Sequence, residues 1–163
     1  MLRRMLEAAR WAPSSYNDQP WTFVVGRKDT KNYDLLFDCL YEGNQEWADE
    51  APLLMLSVAR GNFEHNGEPN RHALHDVGLA VENMVLQALD EGVFVHQMAG
   101  FDGEQAREVF SIPGDHEPVA ALAAGYSANP ERTGEIKGEE RSRKSLEEFV
   151  YGDSWGETAS FLE

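Results

Sequence analysis

Ala12-Pro-Ser-Ser-Tyr-Asn-Asp-Gln-Pro-Trp21 places two prolines and a run of short polar side chains between an amphipathic helix and a strand. Upstream, Leu2, Met5, Leu6 and Ala9 repeat at helical spacing until Pro13 stops the run. Downstream, Trp21 to Gly26 is a short β-rich segment ending in glycine. Two readings of the stretch stand side by side. In one it is a connecting loop whose Ser and Asn side chains satisfy local backbone groups. In the other it is a preformed site, in which Pro13 and Pro20 fix the backbone. Ser15, Asn17 and Gln19 then offer donors and acceptors to a planar heterocycle.

Pro52 to Ala59 is a nearly continuous apolar run of strand length, and with Trp21–Gly26 it reads as a buried strand. Between the two, Tyr33, Leu36, Phe37 and Leu40 keep helical spacing, with Gly43 placed to close that helix. The longest helix spans Arg71 to Glu91. Its apolar positions Leu74, Val77, Val81, Met84, Val85, Ala88 and Leu89 exceed one stripe, which predicts cover on most sides, and Gly92 stops it. Val93–Met98 is a further strand, Glu104–Phe110 a short helix, and Pro118–Tyr126 a small-residue strand closing at Gly125. Helices interleaved with strands but without strict βαβ alternation predict an α+β layered fold rather than a doubly wound one.

The 163 residues suit one domain over 1–163. Residues 127–143 are polar and glycine-bearing and read as an exposed connection; 144–163 regain Leu146, Phe149, Val150, Tyr151, Trp155, Phe161 and Leu162. That much apolar surface predicts a tail that wraps a second copy of the chain.

Charge narrows the function. Twenty-nine acidic against 14 basic residues give a net charge of −15. Such a chain repels a polyanion, so nucleic acid is not an expected partner. No apolar run reaches membrane-spanning length, and Met1–Glu7 has no signal-peptide core, so the expected location is cytoplasmic. Cys39 is the lone cysteine and reads as a buried thiol of a reducing compartment. His72 and His75 lie three apart on the long helix, but with no third ligand at a recognisable spacing no metal site is assigned. Ser14 and Ser15 lack the G-x-S-x-G elbow of a hydrolase nucleophile, and there is no phosphate-binding loop of the G-x-x-x-x-G-K-[ST] type.

The run Glu7-Ala-Ala-Arg-Trp-Ala-Pro-Ser-Ser-Tyr-Asn-Asp-Gln-Pro-Trp21 to Phe23-Val-Val25 closely resembles the first signature of the flavin-dependent nitroreductase family. Asp76-Val-Gly-Leu-Ala80 through Asn83 to Leu86-Gln-Ala88, then Gly92 and Met98-Ala-Gly-Phe-Asp102, is similar to that family's long central helix and flavin-contacting turn. Pro118 to Gly125-Tyr126, followed by Arg141-Ser-Arg-Lys-Ser-Leu-Glu-Glu-Phe149, is similar to its last strand and basic phosphate motif. The resemblance implies an α+β homodimer, each subunit a central, mostly antiparallel sheet flanked by helices, with two FMN molecules at the interface and the tail after Lys144 wrapping the partner subunit. One subunit would supply Pro13, Ser14, Ser15, Asn17 and Gln19. The other would supply Asn44, the edge Gln97, Met98, Ala99 and Gly100, and Arg141 with Arg143 at the phosphate. It also implies NAD(P)H as co-substrate, a nitroaromatic or quinone-like small-molecule acceptor, and chemistry carried by the flavin with no catalytic side chain.

Two physical points accompany these roles. Arg141, Arg143 and Lys144 form one of the few basic clusters of an acidic chain, as a phosphate requires. Backbone N–H groups at Ala99 or Gly100 suit flavin N5 or O4, where charge changes on reduction. The family's usual Arg-x-Ser-x-Arg-like lead-in also binds the FMN phosphate, and the sequence starts after it, on a helix with no capping side chain and with Arg3 and Arg4 at its positive end. Two lost charge-assisted hydrogen bonds at about 1.5–3 kcal/mol each would weaken FMN binding by roughly two to four powers of ten. The alternative expectation is therefore a dimeric flavin-binding or interaction module with little turnover.

Overall fold

The computed structural model describes residues 1–127 and 142–162, and the chain falls into two compact units, Met1–Ser127 and Ala128–Glu163. The first unit carries helices α1 (Leu2–Arg10), α2 (Lys31–Asp38), α3 (Glu42–Ala48), α4 (Ala73–Asp90) and α5 (Gly103–Val109). Its strands are β1 (Trp21–Arg27), β2 (Leu53–Arg60), β3 (Phe94–Met98) and β4 (His116–Gly125). They form one sheet in the order β1-β2-β4-β3, with every neighbouring pair antiparallel. The α+β expectation holds.

The central strand β2 is apolar on both sides because both sides are covered. Leu53, Met55 and Ala59 face a core shared with Met5 and Ala9 of α1 and Val77, Val81 and Met84 of α4. Leu54, Leu56 and Val58 face a second core, with Tyr33 and Leu36 of α2 and Ala106 of α5. This period-two partition explains the continuous run that the sequence displays. The register between β2 and β4 shifts at Ser57/Val58, where Val58 pairs with Pro118 and Val119 is left over. Proline has no N–H for the ladder, and the bulge falls beside it.

Three sequence expectations need correction. β1 is an edge strand, and only Gly26 in it is fully buried, because a Cβ there would come within 2.6 Å of the Tyr33 backbone on α2. Gly43 does not close α2. The chain leaves that helix at Cys39, Leu40 bridges to Phe101, and Gly43 lies inside α3 with open space around it. Nor is α4 covered on most sides: Leu74, Leu86 and Leu89 are 49%, 57% and 55% exposed. Gly92 does stop α4, at φ +72°, a conformation suited to glycine.

In the second unit, Ser145 caps a short turn over Leu146–Glu148, its amide donating to the Glu148 carboxylate over 2.8 Å. Tyr151 bridges to Thr158, and the Tyr151 ring stands edge-on to Trp155 at 5.2 Å. Trp155, Phe161, Leu146 and Phe149 are exposed.

Candidate functional site

The loop from Ala12 to Pro20 is more constrained than a connection requires. Tyr16, Asn17 and Gln19 all have positive φ, at 55°, 56° and 49°. Left-handed backbone in residues with a Cβ costs on the order of 1–3 kcal/mol each and persists only where the surroundings enforce it. Enforcement comes from within and from two neighbouring elements. The Gln19 amide donates to Ser14 Oγ at 3.0 Å, and Gln19 Nε2 donates to the Asn17 carbonyl at 3.0 Å. The Ser15 amide donates to Asp76 Oδ2 at 2.9 Å, a carboxylate 3% exposed in the first turn of α4.

Asp18 anchors the far side. Its carboxylate accepts from the Glu64 amide at 2.9 Å and from an Arg60 guanidinium nitrogen at 3.0 Å. Burial alone would push this carboxyl up; the Glu64 amide and the Arg60 guanidinium outweigh that and hold it below the usual carboxylate range. Asn70 lies beneath the same place and helps keep Asp18 charged, yet its buried Nδ2 makes no well-formed hydrogen bond with a described residue. Asp18 Oδ1 and Oδ2 thus fasten the loop to the end of β2 and to the hairpin Asn62–Pro69 that follows it.

A second cluster forms where β3 ends. Gly100 O accepts from Asn44 Nδ2 at 2.8 Å and from the Tyr41 amide at 3.0 Å. The Asp102 amide donates to the Cys39 carbonyl at 2.8 Å, and Leu40 bridges to Phe101. A Cβ on Gly100 would meet Asn44 Nδ2 at 2.6 Å, so any larger residue would displace the Asn44 amide from the Gly100 carbonyl. Outside the sheet ladder, the Ala99 and Gly100 amides donate to no described backbone carbonyl. Beside the cluster, Trp47 stands edge-on to His96 at 4.9 Å between centroids.

The structure therefore groups the residues singled out in the sequence into two sets. Pro13, Ser14, Ser15, Asn17 and Gln19 share the strained loop; Asn44, Gln97, Met98, Ala99 and Gly100 meet at the end of β3. Two side chains are not available to a ligand as expected. Ser14 Oγ is used within the loop, and Met98 is buried in the core on the α2 and α5 side, leaving its backbone alone. Arg143 belongs to the second unit, is exposed and donates to the Ser142 carbonyl at 2.8 Å; Arg141 lies outside the described residues.

The sequence reading missed Asp18, Arg60 and Asp76 as organisers of the loop. For Asp76 a signal existed: it interrupts the apolar stripe Ala73, Val77, Ala80 with a charge. Arg60, at the end of a buried strand, carried no local pattern that separated it from a surface residue.

Trp21 pairs with Ala59 and Ala59 with Glu117 at one end of the sheet, while Met98 pairs with Ala121 midway along β4, so both clusters head toward the same end, the second from about mid-sheet. They leave it from opposite edges, three strand spacings or roughly 14 Å apart. The family model described as the nitroreductase family matches residues 1–41 and 33–126, and the chain belongs to that family. An uncharacterized 15.4 kDa protein from the ask 5′ region of Mycolicibacterium smegmatis is 27% identical over 146 residues, spanning 82% of this chain and 97% of that one. A solved oxidoreductase described as containing FMN superposes with a TM-score of 0.85 at 28% identity, over 96% of this chain and 82% of its own. A putative nitroreductase from Desulfovibrio desulfuricans, solved in complex with FMN, gives 0.71 at 26% identity, over 94% and 84%.

Proposed function

We propose that this chain is an FMN-dependent oxidoreductase that works as a cytoplasmic homodimer, using NAD(P)H to reduce nitroaromatic or quinone-like acceptors in a ping-pong cycle. The observation that carries the reading is the separation of the two clusters. Their residue chemistry suits one planar ring, but within a chain they occupy opposite sheet edges, so a ring touching both takes the Ala12–Pro20 loop from one copy and the β3 turn from another. The exposed Leu74, Leu86 and Leu89 on α4 and Trp11 after α1 provide apolar surface for that second copy.

The residues present fit the ring end of FMN. The Ala99 and Gly100 amides would donate to the N5 and O4 edge, a reading supported by Asn44, which holds the Gly100 carbonyl so that the turn keeps its shape. Pro13, Ser15, Asn17 and Gln19 form the opposite wall, with Ser14 bracing it from inside. Arg141 and Arg143, with Lys144 beside them, are the residues for the phosphate. When bound, FMN supplies the two-electron chemistry, accepting a hydride at N5 and passing the electron pair to the acceptor, so no side-chain acid or base is assigned.

The test is an absorption spectrum of the full chain with added FMN, followed by NADH or NADPH under nitrogen. Flavin uptake by a dimer and bleaching by either nucleotide support the proposal. Flavin that binds and is not bleached replaces it with a flavin-binding module, and failure to take up FMN overturns both.

A further inference from the structure

The loop Tyr16–Gln19 and the hairpin Asn62–Pro69 enclose an open cavity of about 510 Å³, lined by Tyr16, Asn17, Asp18, Gln19, Glu64 and His65. That volume lies in the range of small-molecule sites. It shares Asn17 and Gln19 with the wall assigned above to the flavin, so it opens beside the place where an acceptor has to approach.

The cavity has an aromatic rim. Tyr16, 83% exposed, stands edge-on to Phe63 at 5.6 Å and lies 5.8 Å from His65, and Phe63 and His65 are 5.3 Å apart. The hairpin opposite is a built element. The Phe63 amide donates to the Glu68 carbonyl and the Gly67 amide to the Phe63 carbonyl, each at 2.8 Å, with Gly67 at φ +74° making the turn. Asp18 clips the hairpin to the loop through the Glu64 amide, so the rim does not depend on a floating side chain.

Its charge is one-sided. Asp18 and Glu64 are both carboxylates, and the cation that touches them is Arg60. The Arg60 guanidinium is spent on the Asn62 carbonyl, the Asp18 carbonyl, the Asp18 carboxylate and Glu64 Oε2, so its fork does not face the cavity. Two carboxylates against one engaged guanidinium leave a negative local field in a chain of net charge −15.

We infer that this cavity is the acceptor pocket and that it selects flat aromatic acceptors that are neutral or cationic, rejecting those that carry a carboxylate. The inference rests on the oxidoreductase reading and adds the substrate class and the residues that set it. Tyr16 and His65, backed by Phe63, supply ring-to-ring contact, which any flat acceptor satisfies. The exposed Glu64 carboxylate supplies the discrimination, through repulsion of an anionic substituent, while Asp18, buried against Arg60, holds the Glu64 backbone in place.

Three probes of one shape separate these roles: 4-nitrobenzamide, 4-nitrobenzoate and (4-nitrobenzyl)trimethylammonium, titrated into the FMN-treated full chain, with affinities read by saturation-transfer NMR. The cation is expected to bind about tenfold more tightly than the amide, and the amide about tenfold more tightly than the benzoate, the magnitude of one charge interaction at an effective dielectric between bulk water and protein surface. Raising the salt to 1 M should compress the difference. Glu64→Lys removes an exposed carboxylate while keeping the backbone N–H that Asp18 uses. By reversing the charge it should move the benzoate up and the cation down by about a hundredfold each relative to the amide. Tyr16→Ala should weaken all three and keep their order. Equal affinities for the three probes in the native chain, or no change of order in Glu64→Lys, overturn the inference, and FMN uptake with bleaching would still leave the oxidoreductase reading standing. Charge-ordered binding without flavin uptake would do the reverse, supporting the pocket and removing the reading above.

Discussion

Asp18 and Asp76 do for the loop what its own sequence cannot. Three left-handed residues within four positions have no intrinsic preference for the conformation they adopt; the Asp76 carboxylate on α4 and the loop's own Asp18, tied to Arg60 and Glu64, hold it. Asp76→Ala leaves the Ser15 amide without its acceptor, and a loss of about 1–3 kcal/mol in urea unfolding is expected. Asp76→Asn keeps an acceptor oxygen and should lose less, so equal losses would contradict the anchoring role. Asp18 titrates below its unfolded value of about 3.9 because the Glu64 amide and Arg60 outweigh the effect of burial. Its stabilisation is complete above that unfolded value and disappears as the pH falls through the lower folded value. Thermal unfolding should therefore show Tm falling below about pH 4, with a shallower fall in Asp18→Asn. At this scale Asn44 and Gly100 were legible separately, through their resemblance to a family pattern, and the structure shows that one holds the other. The Arg60–Asp18 pair was not legible, since its partners are 42 residues apart and neither type marks burial.

Among the elements, β2 carries the fold because each of its faces closes a different core. Leu54 faces the α2 and α5 side and Met55 the α1 and α4 side, and both are essentially buried. Leu54→Ala and Met55→Ala should each cost about 2–5 kcal/mol, measured by denaturant midpoint. A change in either below 1 kcal/mol would show that its side of the sheet is not a packed core. The strand positions were legible, since apolar runs of strand length bounded by Gly or Pro have few other readings. The rank of the strands was not: an edge strand with one covered face and a central strand with two can both display Trp, Phe and Val in succession, as Trp21–Val25 does. The misread Gly43 has a similar cause. Glycine often ends helices, but here the exit from α2 is set by the distant bridge of Leu40 to Phe101, which no local window contains.

For the whole molecule, the exposed side of α4 and the high negative charge point in different directions. Self-repulsion at −15 opposes association, and the leucines of α4 favour it. If the proposed dimer uses that side, Leu86→Glu should convert the dimer to monomer in sedimentation and lower FMN occupancy at the same protein concentration. A monomeric variant with full flavin occupancy would show that one copy suffices for the ring. Added salt should shift the native equilibrium toward the dimer by screening the repulsion. Family and fold class were legible because three motifs recur in order along the chain; the pairing of sheet edges was not, because it is a property of topology and no segment of sequence expresses it.

Helix α1 is fastened to α4 at both ends and in the middle. Arg4 Nε and Nη2 reach Glu91 at 2.5 and 2.9 Å, Asn83 Nδ2 reaches the Ala8 carbonyl at 3.3 Å, and just past the helix the Ser15 amide reaches Asp76. The Glu91 carboxylate also lies 3.6 Å from the terminal ammonium, supplying the negative charge that the start of α1 lacks in its own sequence. The two helices form a bracket from which the loop hangs, so slow deuterium uptake at the Ser15 amide should track that of the middle of α4, each opening only when the bracket itself comes apart.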